Sequence, residues 1–356
     1  MTRRYLGETG GLLSGTAYVF IHYALLVAYI AQGGGILGDA IGLDDLLSRI
    51  GGPVLFVSIF GGLLAFGSAA LVDAANSLFV LVVVASFVAL LCLAAPDVRP
   101  EFLLRSDWTQ ITPAIPTMIV ALVFHNVVPV ITTQLEGDRG KITSAIVLGS
   151  AIPLLMFLAW NAVILGSVSP EVLAGIQDAS VGGAPFDPLE QLRSSGGESL
   201  LSVAVSVFSL FAIVTSFIGF VVGLKDFYED AFFTSSTQQS VSESNPSTSR
   251  DGSKDNLAVL ALVLLPPMLF AIVDPDIFFG ALDSAGTFGI SLLFGLVPAV
   301  MAWRQRYGLD DSTGGNSLVA PPMVPGGKLS LTAMIGIAAT IITEGALDKL
   351  GFLSTV

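Results

Sequence analysis

His125 and Asn126 stand side by side in ALVFHNVVPVITTQLEGD, residues 121–138, and Pro129 follows three positions later. An imidazole exchanges its proton near neutral pH, and a carboxamide offers both donors and an acceptor. Proline has no N–H, and its ring clashes with the carbonyl four residues back, here that of His125. An apolar run leads into all three, so they predict a helix that opens at Phe124–Asn126. In lipid, an opened backbone is tolerated only where it is enclosed by protein or lines a wet cavity. The N–H groups that start a half-helix suit an anion such as a carboxylate, and the carbonyls that end one suit a cation. Phe124 would add an apolar wall. The blander reading of His125, a neutral ring bonded to a neighbouring helix, stays open.

Four further positions carry polar chemistry inside apolar runs. His22, the second of two histidines, lies in VFIHYALLVAYIAQ. A charge at mid-helix costs about 2.5–3.5 kcal/mol on insertion scales, so a neutral, hydrogen-bonded ring is the simple expectation there. Thr215 and Ser216 place adjacent hydroxyls in SLFAIVTSFIGFVVGL. They either bond back to their own helix or touch an ion or substrate. FFGALDSAGTFG interrupts a span with Asp283, Ser284, Gly286, Thr287 and Gly289. Asp283 lies six residues past Ile277, about 9 Å deep at helical rise. It is an acid of an outer vestibule, or simply the start of a helix. Glu136 and Asp138 follow the expected break beside Arg139 and Lys141, as an inner gate or as an exposed ion pair of little energetic consequence.

These residues need a scaffold, and the composition names it. Of 356 residues, 53% are hydrophobic and 12% charged, against about 25% charged in soluble domains. Uncharged stretches approach the ~20 residues that cross a bilayer. The chain is read as all-α and polytopic, with about nine spans: 12–32, 52–72, 76–95, 110–131, 144–166, 199–224, 257–273, 277–303 and 329–347. Runs such as NSLFVLVVVASFVALLCLAA lack the alternation of a β-barrel strand. Of the 15 basic residues, ten fall on the side of the N-terminus and five on the other, which puts the N-terminus inside and the C-terminus outside. Residues 167–198 form an outer loop in which DPLEQLRSS suggests a short surface helix. Residues 225–256 form an inner loop whose polar stretch TSSTQQSVSESNPSTSRDGSKD is expected to be disordered.

The net charge of −13 describes loops and tails. No basic tract points to nucleic acid. Cys92 is the single cysteine, with no metal-ligand spacing around it, and no CxxC, HExxH, P-loop or GxSxG signature supports an enzyme. No cofactor or metal is expected.

NVVPVITTQLEGDRGKITSAIVLGSAIPLLMFLAWNAVILGS, FSLFAIVTSFIGFVVGLKDF, LPPMLFAIVDPDIFFGALDSAGTFGISLLFGLVPAVMAW and FIHYALLVAYIAQGGGIL resemble the aromatic amino acid permease family, in flavour its plant and algal plastid-type members. The resemblance runs from about Gly10 to Trp303, with a weaker tail. It implies a five-plus-five inverted-repeat fold, and proton-coupled carriage of tyrosine or tryptophan. It aligns the first span here with the family's third, so the chain is expected to be incomplete at its N-terminus. Residues 12–95 would be three helices of the first repeat, 110–303 the complete second repeat and 329–347 a final helix, all in one transmembrane domain. Carried over by position, Phe124, His125, Asn126, Tyr18 and His22 face the substrate. Thr215 and Ser216 stand where sodium-coupled relatives contact an ion. Asp283 stands at an outer gate, and its basic partner is expected from an absent helix. The implied membrane is the plastid inner envelope or a bacterial-type inner membrane.

Three rivals remain. A passive channel would spread polar residues along whole faces, whereas here they cluster at one depth. A membrane-embedded enzyme would need a facing acid and base, and no intramembrane acid matches the histidines. A non-transporting fragment is favoured only by the missing helices.

Overall fold

Apolar chain in lipid satisfies its backbone by coiling on itself. The computed structural model is helical accordingly, with no strand among the residues it describes: 2–104, 106, 108, 111–121, 123–124, 127–167, 200–237, 251–274, 277–307 and 326–350. In chain order these form α1 (Thr2–Ala40), α2 (Asp45–Phe56), α3 (Gly62–Phe66), α4 (Ala69–Ala94), the short α5 (Pro100–Leu103), α6 (Ile111–Ala121) and α7 (Val127–Gln134). Then come α8 (Arg139–Ser167), α9 (Leu200–Thr237), α10 (Asp251–Val273), α11 (Phe278–Ser284), α12 (Val297–Tyr307) and α13 (Gly327–Lys349). π-Helical segments join α2 to α3 over Val57–Gly61 and α11 to α12 over Ala285–Leu296. Among the described residues, eight helices are long and apolar enough to cross a membrane. The ninth expected span is the interrupted pair α6 and α7.

The expected spans lie on these helices, with shifted ends. The second stops at Phe66 rather than at residue 72, because Ser68 caps α4 by accepting from the Leu71 N–H at 3.2 Å. One expectation is corrected. Residues 225–237, read as the start of a disordered inner loop, continue α9. Within it Lys225 pairs with Glu229 one turn on at 2.9 Å. At the other end of that loop, residues 251–256 open α10. Residues 238–250 and the expected surface helix at DPLEQLRSS lie outside the described residues.

The chain divides into two compact units, each drawn from separated stretches. The first comprises Met1–Ala24, Thr109–Asp138 and Gly280–Val356. Its centre is the π-helical segment 285–296, in which Ser291 donates to the carbonyl of Gly286, five residues back, at 2.8 Å. The bond is made by the Ser291 hydroxyl, and π-helical turns such as these are frequent at functional sites. Glycines let neighbours close onto it: Gly286 lies against the Pro116 carbonyl of α6, Gly289 against Ile21 of α1, and Gly345 of α13 against Thr287. Without a hydrophobic drive between helices in lipid, such small-residue approaches supply the packing.

The second unit comprises Leu25–Trp108 and Arg139–Phe279. Rings tie it together. Phe56 and Phe217, both fully buried, meet edge-on at 5.1 Å; Phe60 meets Phe79 at 6.2 Å, and Phe79 meets Phe211 at 5.2 Å. Such pairs add about 0.5–1.5 kcal/mol each beyond area burial. α1 and α2 touch backbone to backbone where Gly34 meets Gly52 and Pro53.

Candidate functional site

The span over 110–131 is broken. α6 ends at Ala121, α7 begins at Val127, and Val123 and Phe124 between them are non-helical. The last turn tightens, with the Val123 N–H donating to the Val120 carbonyl at 3.3 Å. Pro129 falls in the first turn of α7, where a missing N–H costs nothing, and the break therefore lies before it. Phe124 is 41% exposed. His125 and Asn126 lie outside the described residues.

Tyr18 and His22 are brought together by one turn of α1. Their rings lie 3.9 Å apart, and His22, 3% exposed, bonds through Nδ1 to the Tyr18 carbonyl at 2.8 Å. A carbonyl only accepts, so Nδ1 carries the proton and Nε2 is the position at which a neutral ring accepts. This hydrogen bond stays within His22's own helix. The stretch beside His22 and the stretch before the break pack on one common element. Phe20 and Ile21 close on Gly289, while Pro116 and Val120 close on Gly286 of the same π-helical segment. Thr287 and Ser291 of that segment are buried at 2% and 3% exposure.

Asp283 has a basic partner within this chain: Lys349, at the end of α13, approaches it at 3.4 Å. This corrects the expectation of a partner from an absent helix. Lys349 also bonds the Ser284 hydroxyl and lies 5.2 Å from the centroid of Phe288. Both charged side chains are more than two-fifths exposed, so solvent screens the pair. A double-mutant cycle on Asp283→Asn and Lys349→Gln, read by thermal unfolding in detergent, is expected to give a coupling of about 0.2–1 kcal/mol.

Glu136 and Asp138 are exposed in the turn between α7 and α8. Glu136 has φ 53° and Gly137 φ 75°. A side chain in the left-handed region costs about 1–2 kcal/mol relative to glycine. Glu136→Gly is therefore expected to raise stability by about 1 kcal/mol, seen as a higher unfolding midpoint, unless the carboxylate has a gating contact that offsets the gain.

Thr215 and Ser216 belong to the second unit. Thr215 donates to its own helix at the Ala212 carbonyl, 3.0 Å away. Ser216 shares a hydrogen bond with the Tyr29 side chain of α1. Both hydroxyls thus have protein partners.

The second unit also holds a cavity of about 360 Å³ that sequence reasoning missed, lined by Gln32, Trp160, Asn161, Phe208, Ser209 and Phe278 among others. Its one signal was the polar pair of amides, Gln32 and Asn161, inside apolar runs.

A model of the tryptophan/tyrosine permease family matches residues 1–343, a longer stretch than the motifs alone mark. Among individual relatives, tyrosine-specific transport system 1 of Haemophilus influenzae is 26% identical over 360 residues, spanning 100% of this chain and 82% of the relative. The tryptophan-specific transport protein of the same organism is 26% identical over 348 residues, spanning 93% of this chain and 79% of the relative. The low affinity tryptophan permease of Escherichia coli is 24% identical over 319 residues, spanning 86% of this chain and 72% of the relative. No solved structure matches. With a family model over nearly the whole length, and a multi-pass helical architecture to carry it, the chain belongs to the tryptophan/tyrosine permease family.

Proposed function

We propose that this protein is a secondary carrier that moves an aromatic amino acid, tyrosine first, across a membrane together with a proton. The observation that carries the reading is the broken helix α6–α7 in a chain of this family. A break of this kind offers N–H groups to a substrate carboxylate and carbonyls to its ammonium group. Phe124, His125 and Asn126 are the substrate contacts on this reading, with Tyr18 and His22 on α1. Their support is that α1 and α6 pack on the same π-helical segment. The proton rides on His125 or on Nε2 of His22. Thr215 and Ser216 act at the coupling position, Asp283 with Lys349 forms an outer latch, and Glu136 and Asp138 an inner one. The N-terminus lies inside and the C-terminus outside, in a plastid envelope or a bacterial-type inner membrane.

Uptake of labelled tyrosine into proteoliposomes, with and without an inward proton gradient, tests the reading. Gradient-driven accumulation above the outside concentration is expected. Uptake that equilibrates without accumulating removes proton coupling and leaves a passive channel. No uptake of tyrosine or tryptophan leaves a non-transporting membrane protein.

A further inference from the structure

The tightened turn that ends α6 has an anchor outside its own helix. Val120, whose carbonyl accepts from the Val123 N–H at 3.3 Å, and Pro116 one turn before it both lie against Gly286 of the π-helical segment. All of these residues belong to the first unit. The approach is close: a Cβ added at Gly286 would sit 2.9 Å from the Pro116 carbonyl carbon and 3.0 Å from a Val120 methyl. The chain neighbours Ala285 and Thr287 both carry a Cβ, so α6 accepts the segment only with glycine turned toward it. Ser291 holds that rotation. Its side chain is buried, and its hydroxyl donates to the carbonyl of Gly286 itself at 2.8 Å. Hydroxyls on α-helices reach carbonyls three or four residues back, as those of Ser14, Ser86 and Thr215 do here. Reaching five back depends on the wider turn of a π-helix. If that turn relaxed to α-helix, the Ser291 hydroxyl would lose the Gly286 carbonyl. The residues before it would rotate about the axis and carry Gly286 away from α6.

We propose that Ser291 is a positioning residue for the substrate site: its hydroxyl fixes the π turn that seats Gly286 on α6, and through Val120 it sets where α6 ends and the break begins. The inference rests on the reading of that break as the tyrosine site.

The test compares Ser291→Ala with Ser291→Thr, which keeps the hydroxyl, and with Ser86→Ala, which removes a buried, helix-bonded hydroxyl from the second unit. In initial-rate tyrosine uptake by proteoliposomes, Ser291→Ala is expected to raise the apparent KM about three- to tenfold, the range that one hydrogen bond supports, with the maximal rate nearly unchanged. Ser291→Thr is expected to restore the KM, and Ser86→Ala to leave it where it was. Ser291→Cys fills the same space with a weak donor; it is expected to give an intermediate KM and serves if Ser291→Ala does not fold. A second readout needs no transport. Cys92→Ala removes the single cysteine, and Val123→Cys then places a thiol just past the end of α6. Its rate of modification by a water-soluble methanethiosulfonate is expected to change at least about threefold on Ser291→Ala and to return with Ser291→Thr. An unchanged modification rate in folded Ser291→Ala overturns the proposal, as does an unchanged KM, or a shift in KM that Ser86→Ala reproduces. A lower maximal rate at constant KM also overturns it, since a merely structural hydroxyl would act in that way. Absence of tyrosine uptake by the unmutated chain removes the transport reading instead, and the modification rates still decide whether Ser291 sets the end of α6.

Discussion

Tyrosine uptake is expected to fall by at least about 100-fold when the break between α6 and α7 is closed by His125→Leu, Asn126→Leu and Pro129→Ala together. Leucine and alanine are strong helix formers, and the change restores the N–H that proline lacks. A continuous helix would then bond internally the backbone groups that the break leaves for a ligand. Hydrogen bonds to charged groups contribute about 1.5–3 kcal/mol each. Losing two of them from a carboxylate site amounts to two or more powers of ten in binding. The measurement is initial-rate uptake in proteoliposomes against tyrosine concentration, with circular dichroism and gel filtration to establish that the variant is folded. Full uptake by a folded variant would remove the break from the mechanism. His125→Ala alone separates the contributions: unchanged apparent affinity would take His125 out of the site while sparing the backbone argument.

Gly34→Leu is expected to prevent recovery of folded protein. A Cβ at Gly34 would sit within 3.0 Å of the Pro53 and Gly52 backbone. Backbone on a packed helix cannot turn aside as a side chain can. Overpacking a well-filled site costs about 1–3 kcal/mol, occasionally more, and a leucine driven against backbone belongs at the upper end. The readouts are the yield of monodisperse protein and the unfolding midpoint in detergent. Gly35→Ala is the internal control. An added Cβ there meets nothing within 4 Å, and alanine gains up to about 1 kcal/mol over glycine within a helix. Equal loss at both positions would show that glycine content, rather than the crossing at Gly34, is what matters.

Much of the architecture was legible in the residues because lipid imposes so few solutions. Charge-free runs have to be helices, and the expected spans lie on those observed. The break before Pro129 could be read locally too, since the clash of proline with the carbonyl four residues back needs no partner to explain it. Other features were misjudged for physical reasons. The run from Lys225 looked like loop because charges begin there, yet the helix continues to Thr237, with Lys225 paired to Glu229 one turn on. The interruption at Asp283–Gly289 reads in the sequence only as polar residues breaking an apolar span. It is instead a π-helical widening that keeps its bonds, and Gly286 and Gly289 serve close packing rather than unwinding.

By itself the sequence determined the membrane class, the order of the apolar helices and the place where the helix before Pro129 parts, since each follows from local solvation and from proline geometry. Only the tertiary structure decided which residues meet. Lys349 reaches Asp283 across 66 positions of chain. α1 and α6 converge on one π-helical segment, and Trp160 and Phe208 line one cavity with Gln32 and Asn161. Hydropathy is a property of single residues and sets their depth in lipid, whereas side-chain partners depend on the rotation and crossing of whole helices, which packing alone fixes.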